Sequence, residues 1–218
     1  MSKAYSIQKK LWKAYGKVGK ALGREFSVYR PTELTDPMRP TNWLFNTDIA
    51  FSQDWKYKSP HKWGVSLWKT WVDGRLNRLT DIEQGDIFYD SLRNETYFVA
   101  STQEHLDIQS IKANERITIS RAGYTDGANG FGPGDTEVAT DVPCYIEEPG
   151  SGGGNLGYIP AASYSTDSVP SYMVYLVDNN NEIEIRDAIT DGKGRRFQVL
   201  NIDDNDVGRK LSCTVYTP

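Results

Sequence analysis

Histidine and cysteine are almost missing from this sequence, which has two of each among 218 residues. His61 and His105 have no second His or Cys at ligand spacing, so neither a metal site nor a Ser–His or Cys–His nucleophile pair is expected. Cys144 and Cys213 fall short of a disulfide framework. Each adjoins a strand-like run (Cys144-Tyr145-Ile146 and Cys213-Thr214-Val215), which reads as buried free thiols, with their pairing left open. No apolar run approaches the length that spans a bilayer. The N-terminus also lacks the apolar core and small-residue cleavage site of a secretory signal. No membrane partner is expected.

Other chemical motifs fail on their spacing. Gly130-x-Gly132-x-Gly134 resembles a phosphate loop, but no strand precedes it and no helix follows to present its N–H groups to a phosphate. It reads as a flexible loop tip, as does the Gly/Ser-rich stretch from Pro149 to Gly157. Asp203-Asp204-Asn205-Asp206 misses the calcium-loop pattern because Val207 stands where a ligand belongs. Glu147-Glu148 and Asp203–Asp206 offer paired carboxylates of the kind that cleave sugars, and such pairs arise by chance on any acidic surface. The expectation is a protein without catalytic residues, metal or cofactor, and so not an enzyme.

What the chain has is aromatic side chains: 13 Tyr, 7 Phe and 6 Trp, which with 19 Gly and 10 Pro favour strands and turns. It also has a charge asymmetry. Residues 1–24 carry seven Lys or Arg and no acid, so the rest of the chain stands at −11 within a net charge of −4. That basic segment reads as the only long helix, over residues 3–24. Ile7, Leu11, Tyr15, Val18 and Leu22 recur at the helical period and share one stripe with Ala4, Ala14 and Ala21. Lys9, Lys10, Lys13, Lys17, Lys20 and Arg24 fall on an adjacent face. A third face carries Gly16, Gly19 and Gly23 with Tyr5 and Trp12; interior glycines cost helix stability and imply the close approach of another backbone. Two uses fit: packing on its own domain with a solvated lysine face, or docking on a neighbouring subunit with the lysines near acidic protein or DNA. A membrane surface is a third use that no lipidation motif supports.

Downstream, residues 27–60 read as an aromatic, Pro-containing arm whose Trp43, Phe45, Phe51, Trp55 and Tyr57 either anchor an interface, with Trp43 and Trp55 as the candidates, or equally well cover their own core. From Trp63 onward strand periods appear. The layout occurs twice. Gly85-Asp86-Ile87-Phe88-Tyr89-Asp90 followed by Tyr97-Phe98-Val99 parallels Arg186-Asp187-Ala188-Ile189-Thr190-Asp191 followed by Phe197-Gln198-Val199. Upstream, Trp68–Gly74 parallels Met173–Asn179; downstream, Ile117–Ser120 parallels Leu211–Tyr216. The expected fold is mainly β: two small antiparallel β-barrel or sandwich modules preceded by one N-terminal amphipathic helix. The expected boundaries are 1–26 for the helix, 27–60 for the arm, 61–122 for module 1, 123–141 for a Gly-rich linker and 142–218 for module 2.

The run Asp187 … Thr190-Asp191-Gly192-Lys193-Gly194-Arg195-Arg196-Phe197-Gln198-Val199 … Asp206-Val207-Gly208-Arg209-Lys210-Leu211 resembles head–tail connector and neck proteins of tailed bacteriophages. Gly85-Asp86 … Tyr97-Phe98-Val99 with Asn114–Arg121, and the Leu22-Gly23 … Tyr29-Arg30-Pro31 opening, are similar to phage proteins of that region. The resemblance touches most of the chain through turn residues and strand cores. It implies a virion structural protein of the neck or collar: a homo-oligomeric ring of twelve or six copies that joins portal to tail around the DNA channel. It would be assembled in the bacterial cytoplasm. Lys9, Lys10, Trp12, Lys13, Lys17, Lys20, Arg24, Trp43 and Trp55 would then meet subunits, portal or DNA. A baseplate or tail adaptor is the alternative within a virion. A carbohydrate-binding or glycan-cleaving β module using Trp43, Trp55 and Trp68 is the alternative of another class.

Overall fold

The computed structural model describes residues 3–53, 67–73, 81–102, 108–121, 135–148, 171–205 and 208–215. It opens with helix α1 (Lys3–Leu22). Six strands follow: β1 (Arg24–Tyr29), β2 (Trp43–Gln53), β3 (Leu67–Val72), β4 (Ile87–Asp90), β5 (Glu95–Ser101) and β6 (Ile108–Lys112). Six more complete the chain: β7 (Glu115–Arg121), β8 (Thr136–Glu147), β9 (Ser171–Leu176), β10 (Ala188–Asp191), β11 (Arg196–Asn205) and β12 (Gly208–Val215). The expectation of a mainly β chain with two antiparallel modules and one N-terminal helix holds.

Each set of six strands closes into its own barrel. The first runs β1-β2-β3-β6-β5-β4 and the second β7-β8-β9-β12-β11-β10, so raising every label by six converts one into the other. Closure removes sheet edges, which short strands would otherwise leave open to unwanted pairing. Contacts divide the chain into two compact units. One carries α1 and β1–β6; the other carries β7–β12 and also Glu33–Asp36, which lies in sequence between β1 and β2. Within the second unit Leu34 is buried in the core, and Asp36 donates its N–H to the Thr140 carbonyl at 3.0 Å.

These limits differ from the expected ones at both ends of module 1. The stretch expected as an arm supplies the second half of β1 and all of β2 to the first barrel, and the first half of β1 comes from the end of the segment expected as helix; the two strands pair from Arg24↔Ile49 to Tyr29↔Trp43. Phe45 and Phe51 of that stretch pack against the first core. At the other end, Ile117–Ser120 belongs to β7, which pairs with β8 and β10 in the second barrel. The last strand of the first barrel in sequence is β6, between β3 and β5.

The duplication extends to individual side chains. Arg30, just past β1, sets Nε and Nη2 on the Asp86 carboxylate at 2.8 and 2.9 Å, Nη1 on Glu83 at 2.8 Å and Nη2 also on the Asp81 carbonyl at 3.3 Å. Arg121, at the end of β7, does the same with Asp187 at 2.9 and 3.0 Å, Glu184 at 2.9 Å and the Glu182 carbonyl at 2.8 Å. In both clasps the aspartate's second oxygen also accepts the N–H three residues upstream, of Glu83 at 2.7 Å and Glu184 at 2.8 Å. A valine within β5 or β11 pins the loop: Val99 donates its N–H to the Asp86 carbonyl and Val199 donates to that of Asp187. A bulge follows each, between Val99 and Ser101 and between Val199 and Asn201. Both aspartates are buried, so the bidentate guanidinium and the backbone donor together offset the cost of taking a carboxylate out of water. Burial is the largest influence on Asp86 and pushes its pKa up, against the lowering effect of Arg30.

The two cores differ in filling. The first is aromatic: Phe51 stacks on Tyr97 with ring centroids 4.0 Å apart, and Phe26 meets both rings edge-on. The second is mostly aliphatic, built on Ile117, Ile119, Ile146, Leu176, Ile189, Val199 and Leu211 around Phe197. Cys144 and Cys213 are buried in it as free thiols, in keeping with the default reading of the sequence.

Candidate functional site

The three faces of α1 meet different surroundings. The glycine face is the one that packs on the barrel, against β2 and β3. Gly16 and Gly19 are buried there. A Cβ added at Gly19 would lie 2.7 Å from the Trp71 carbonyl oxygen and 2.8 Å from the Val72 carbonyl carbon, so no other residue fits without moving backbone. Tyr15 stacks beside this seam on Trp71, with centroids 6.2 Å apart and planes 15° from parallel. Trp12 is half-buried. Close backbone contact at the glycines and stacking of Tyr15, the stripe residue nearest this seam, therefore hold the helix.

Three large members of the stripe are left facing outward, while Tyr15 and Val18 are half-buried. Ile7 is 60%, Leu11 48% and Leu22 75% exposed. Lys10, Lys13, Lys17 and Lys20 are exposed on the adjoining face. A helix docked by one face normally hides its apolar stripe; here a row of aliphatic side chains lies in water beside a row of ammonium groups. No helix among the described residues is long and apolar enough to cross a membrane.

The other candidates separate. Arg24 is the first residue of β1 rather than part of the helix, and its guanidinium binds Asp90 at 2.8 Å and Glu95 at 3.0 Å inside its own unit. Lys112 reaches the same Glu95 at 2.6 Å, and this contact is the foremost reason that the Glu95 pKa is lowered. Trp43 is 50% exposed, and its indole N–H donates to Asn46 at 3.1 Å. Trp68 packs against the first core and so makes a poor sugar platform. Lys9 has no described side chain, and Trp55, His61, His105, Asp206 and both Gly-rich loops lie outside the described residues.

The carboxylates proposed for chemistry have structural partners. Glu148 binds Arg195 at 2.9 Å, and Asp204 binds Arg209 at 2.8 Å. Glu147 is half-buried, and burial raises its pKa. Among the described residues no group of three His, Cys, Asp or Glu side chains stands close enough to hold a metal. Burial lifts the Cys144 thiol far above its ordinary range and the Cys213 thiol to about 12, which keeps both protonated and inert.

The sequence reading missed a second exposed apolar place. Ile185 is 56% and Leu200 37% exposed, and they adjoin because Arg186 donates its N–H to the Val199 carbonyl at 2.8 Å. The repeat held the signal. At the matching points of the first barrel stand polar Gln84 and fully buried Ala100, so the fold itself does not demand apolar exposure there.

Compared with protein-family models, curated proteins and solved structures, the chain matches none.

Proposed function

We propose that this chain is a non-enzymatic assembly protein of a phage virion, a ring-forming neck or collar component that joins portal to tail around the DNA channel. The observation that carries the assembly reading is the outward apolar stripe of α1, with Ile7, Leu11 and Leu22 in water on a helix already anchored through its glycines. Exposed aliphatic rows of this kind mark protein contacts. Two closed barrels add rigidity, as a ring subunit needs, and the basic face of the helix supplies charge for an acidic neighbour or a DNA backbone. The assignment to the neck rests on the sequence resemblance.

The expected outcome is a defined ring of twelve or six copies by native mass measurement, co-purification with portal or tail proteins, and density for this chain at the head–tail junction by electron microscopy. A chain that stays monomeric at every concentration and is absent from virions refutes the reading.

A further inference from the structure

We propose that the outward stripe of α1 is one half of a coiled coil and takes an amphipathic helix of a partner protein whose flanks are acidic. This rests on the assembly reading and names the kind of partner. Ile7, Leu11, Ala14, Val18 and Ala21 follow one another at steps of four, three, four and three. That spacing sets two helices side by side along a seam. The seam lies roughly 150° round α1 from the glycines, at about 100° per residue. Ile7, Leu11, Ala14 and Ala21 are exposed along it, and Val18 is half-buried. Close backbone contact at Gly19 already fixes α1 on the barrel, so a partner meets an ordered helix and little ordering cost remains.

Charge selects the occupant. Lys10 and Lys17 stand one residue before Leu11 and Val18, the flanking position whose charges choose a coiled-coil partner. Lys13 and Lys20 extend the same side. All four are exposed, and among the described residues none of them stands in an ion pair. By contrast Arg24, Arg30, Arg121, Arg195 and Arg209 are each met by a carboxylate of their own unit. A second copy of α1 supplies no counter-charge, because residues 1–24 contain no acid. A DNA backbone would meet the lysines but leave Ile7, Leu11 and Leu22 in water. A bilayer would take those three, yet it gains little from the small side chains of Ala14 and Ala21. Those alanines instead let a second helix backbone come close. An acidic helix answers both rows at once.

The test uses the full chain and two synthetic peptides of three heptads. Both carry leucine at the seam positions; one has glutamate at its flanks and the other lysine. Fluorescence anisotropy should show the glutamate peptide binding and the lysine peptide not. Lys10→Glu with Lys17→Glu should reverse that preference, by about tenfold in each direction. Binding of the lysine peptide by this variant also shows that it folds. Leu11→Asp should lose both peptides, and raised salt should weaken the wild-type contact. Equal affinity for the two peptides, or a preference that survives the charge reversal, overturns the proposal. Tighter binding to phosphatidylserine vesicles or to duplex DNA than to the glutamate peptide overturns it too. Leu92→Asp, at a turn residue 96% exposed in the first barrel, should bind like wild type. Its failure would show that any added charge breaks binding, and would overturn the assignment to α1. A chain that forms rings but ignores the glutamate peptide refutes the docking and leaves the assembly reading standing. A chain that binds the peptide yet stays monomeric and absent from virions supports the docking and removes the assembly reading.

Discussion

The two barrels share strand order, bulge position and clasp, yet they are stabilised by different means. The first is filled with stacked rings and has a helix bound to its outer face; the second is filled with branched aliphatics and two thiols. The acidic residue that ends the fourth strand of each shows the same divergence. Asp90 is paired by Arg24 from β1, whereas Asp191 is paired at 2.7 Å by Arg195 from the turn it begins. At the β7 position matching Arg24 stands Glu115, which is met by Lys193 at 3.3 Å. Backbone geometry and the buried clasp are common to both barrels; core residues and surface pairs differ. A closed barrel thus depends on the groups that fix its loops more than on which hydrophobes fill it.

Breaking the clasp should have the largest effect. Asp86→Ala or Asp187→Ala strands a guanidinium and a backbone N–H at once. Because both arginines are about one-third exposed, the loss should be about 2–4 kcal/mol rather than that of a fully buried pair. Hydrogen exchange should show each loss confined to its own barrel. Equal loosening of both barrels by either change would contradict their independence.

Next comes the helix seam. Gly19→Ala should cost about 1–3 kcal/mol of helix docking, read as faster exchange along α1 and altered Trp71 fluorescence, with the second barrel unchanged. Unaltered α1 protection would show that the close approach at Trp71 is not what holds the helix.

A smaller effect separates the matched loop positions Gly85 and Arg186, at φ 90° and 80°. This left-handed region suits glycine, so Arg186→Gly should stabilise the second barrel by about 1 kcal/mol and Gly85→Ala should destabilise the first by about as much. Denaturation midpoints that move together would break the equivalence.

The finest probe uses charge and thiols. Glu95 has a folded-state pKa below its ordinary value, so its pairing stabilises the first barrel above the unfolded pKa near 4.5. That contribution should fade as pH falls through the lower folded value. Glu95→Gln should therefore flatten the acid limb of a stability curve measured on the first barrel. At pH 8 Cys144 and Cys213 should resist alkylation until the second barrel opens, which gives that barrel a private clock; fast labelling in native buffer would mean that its core is loose.

Much of the architecture was legible in the sequence, for definite reasons. The four-residue Asp spacing and the aromatic-x-Val strand revealed the duplication because both belong to local elements, a loop anchor and a half-buried strand. β1 and β2 were not recognised. Phe45, Thr47, Ile49 and Phe51 do alternate, but Asn46, Asp48 and nearby prolines give the stretch the look of a loop. The clasps were invisible because Arg30 lies 56 residues from Asp86, and Arg121 lies 66 from Asp187. For the candidate surface, the glycines marked the helix face that meets another backbone, but the period did not show that Ile7, Leu11 and Leu22 stay exposed.

The short segment Glu33–Asp36 has a consequence for the order in which the protein is made. Leu34 donates its backbone N–H to the Glu182 carboxylate, a partner 148 residues further along. At roughly 5–20 residues per second, a ribosome needs about 7–30 s to supply it. All the strands of the first barrel have left the ribosome well before then, with the connection between β1 and β2 still waiting. Nor would cutting after Lys112 give two complete pieces, because the N-terminal fragment would keep Glu33–Asp36, which belong to the other unit. The repeat is tandem in sequence, but its second half is completed by a segment that lies in sequence between two strands of the first.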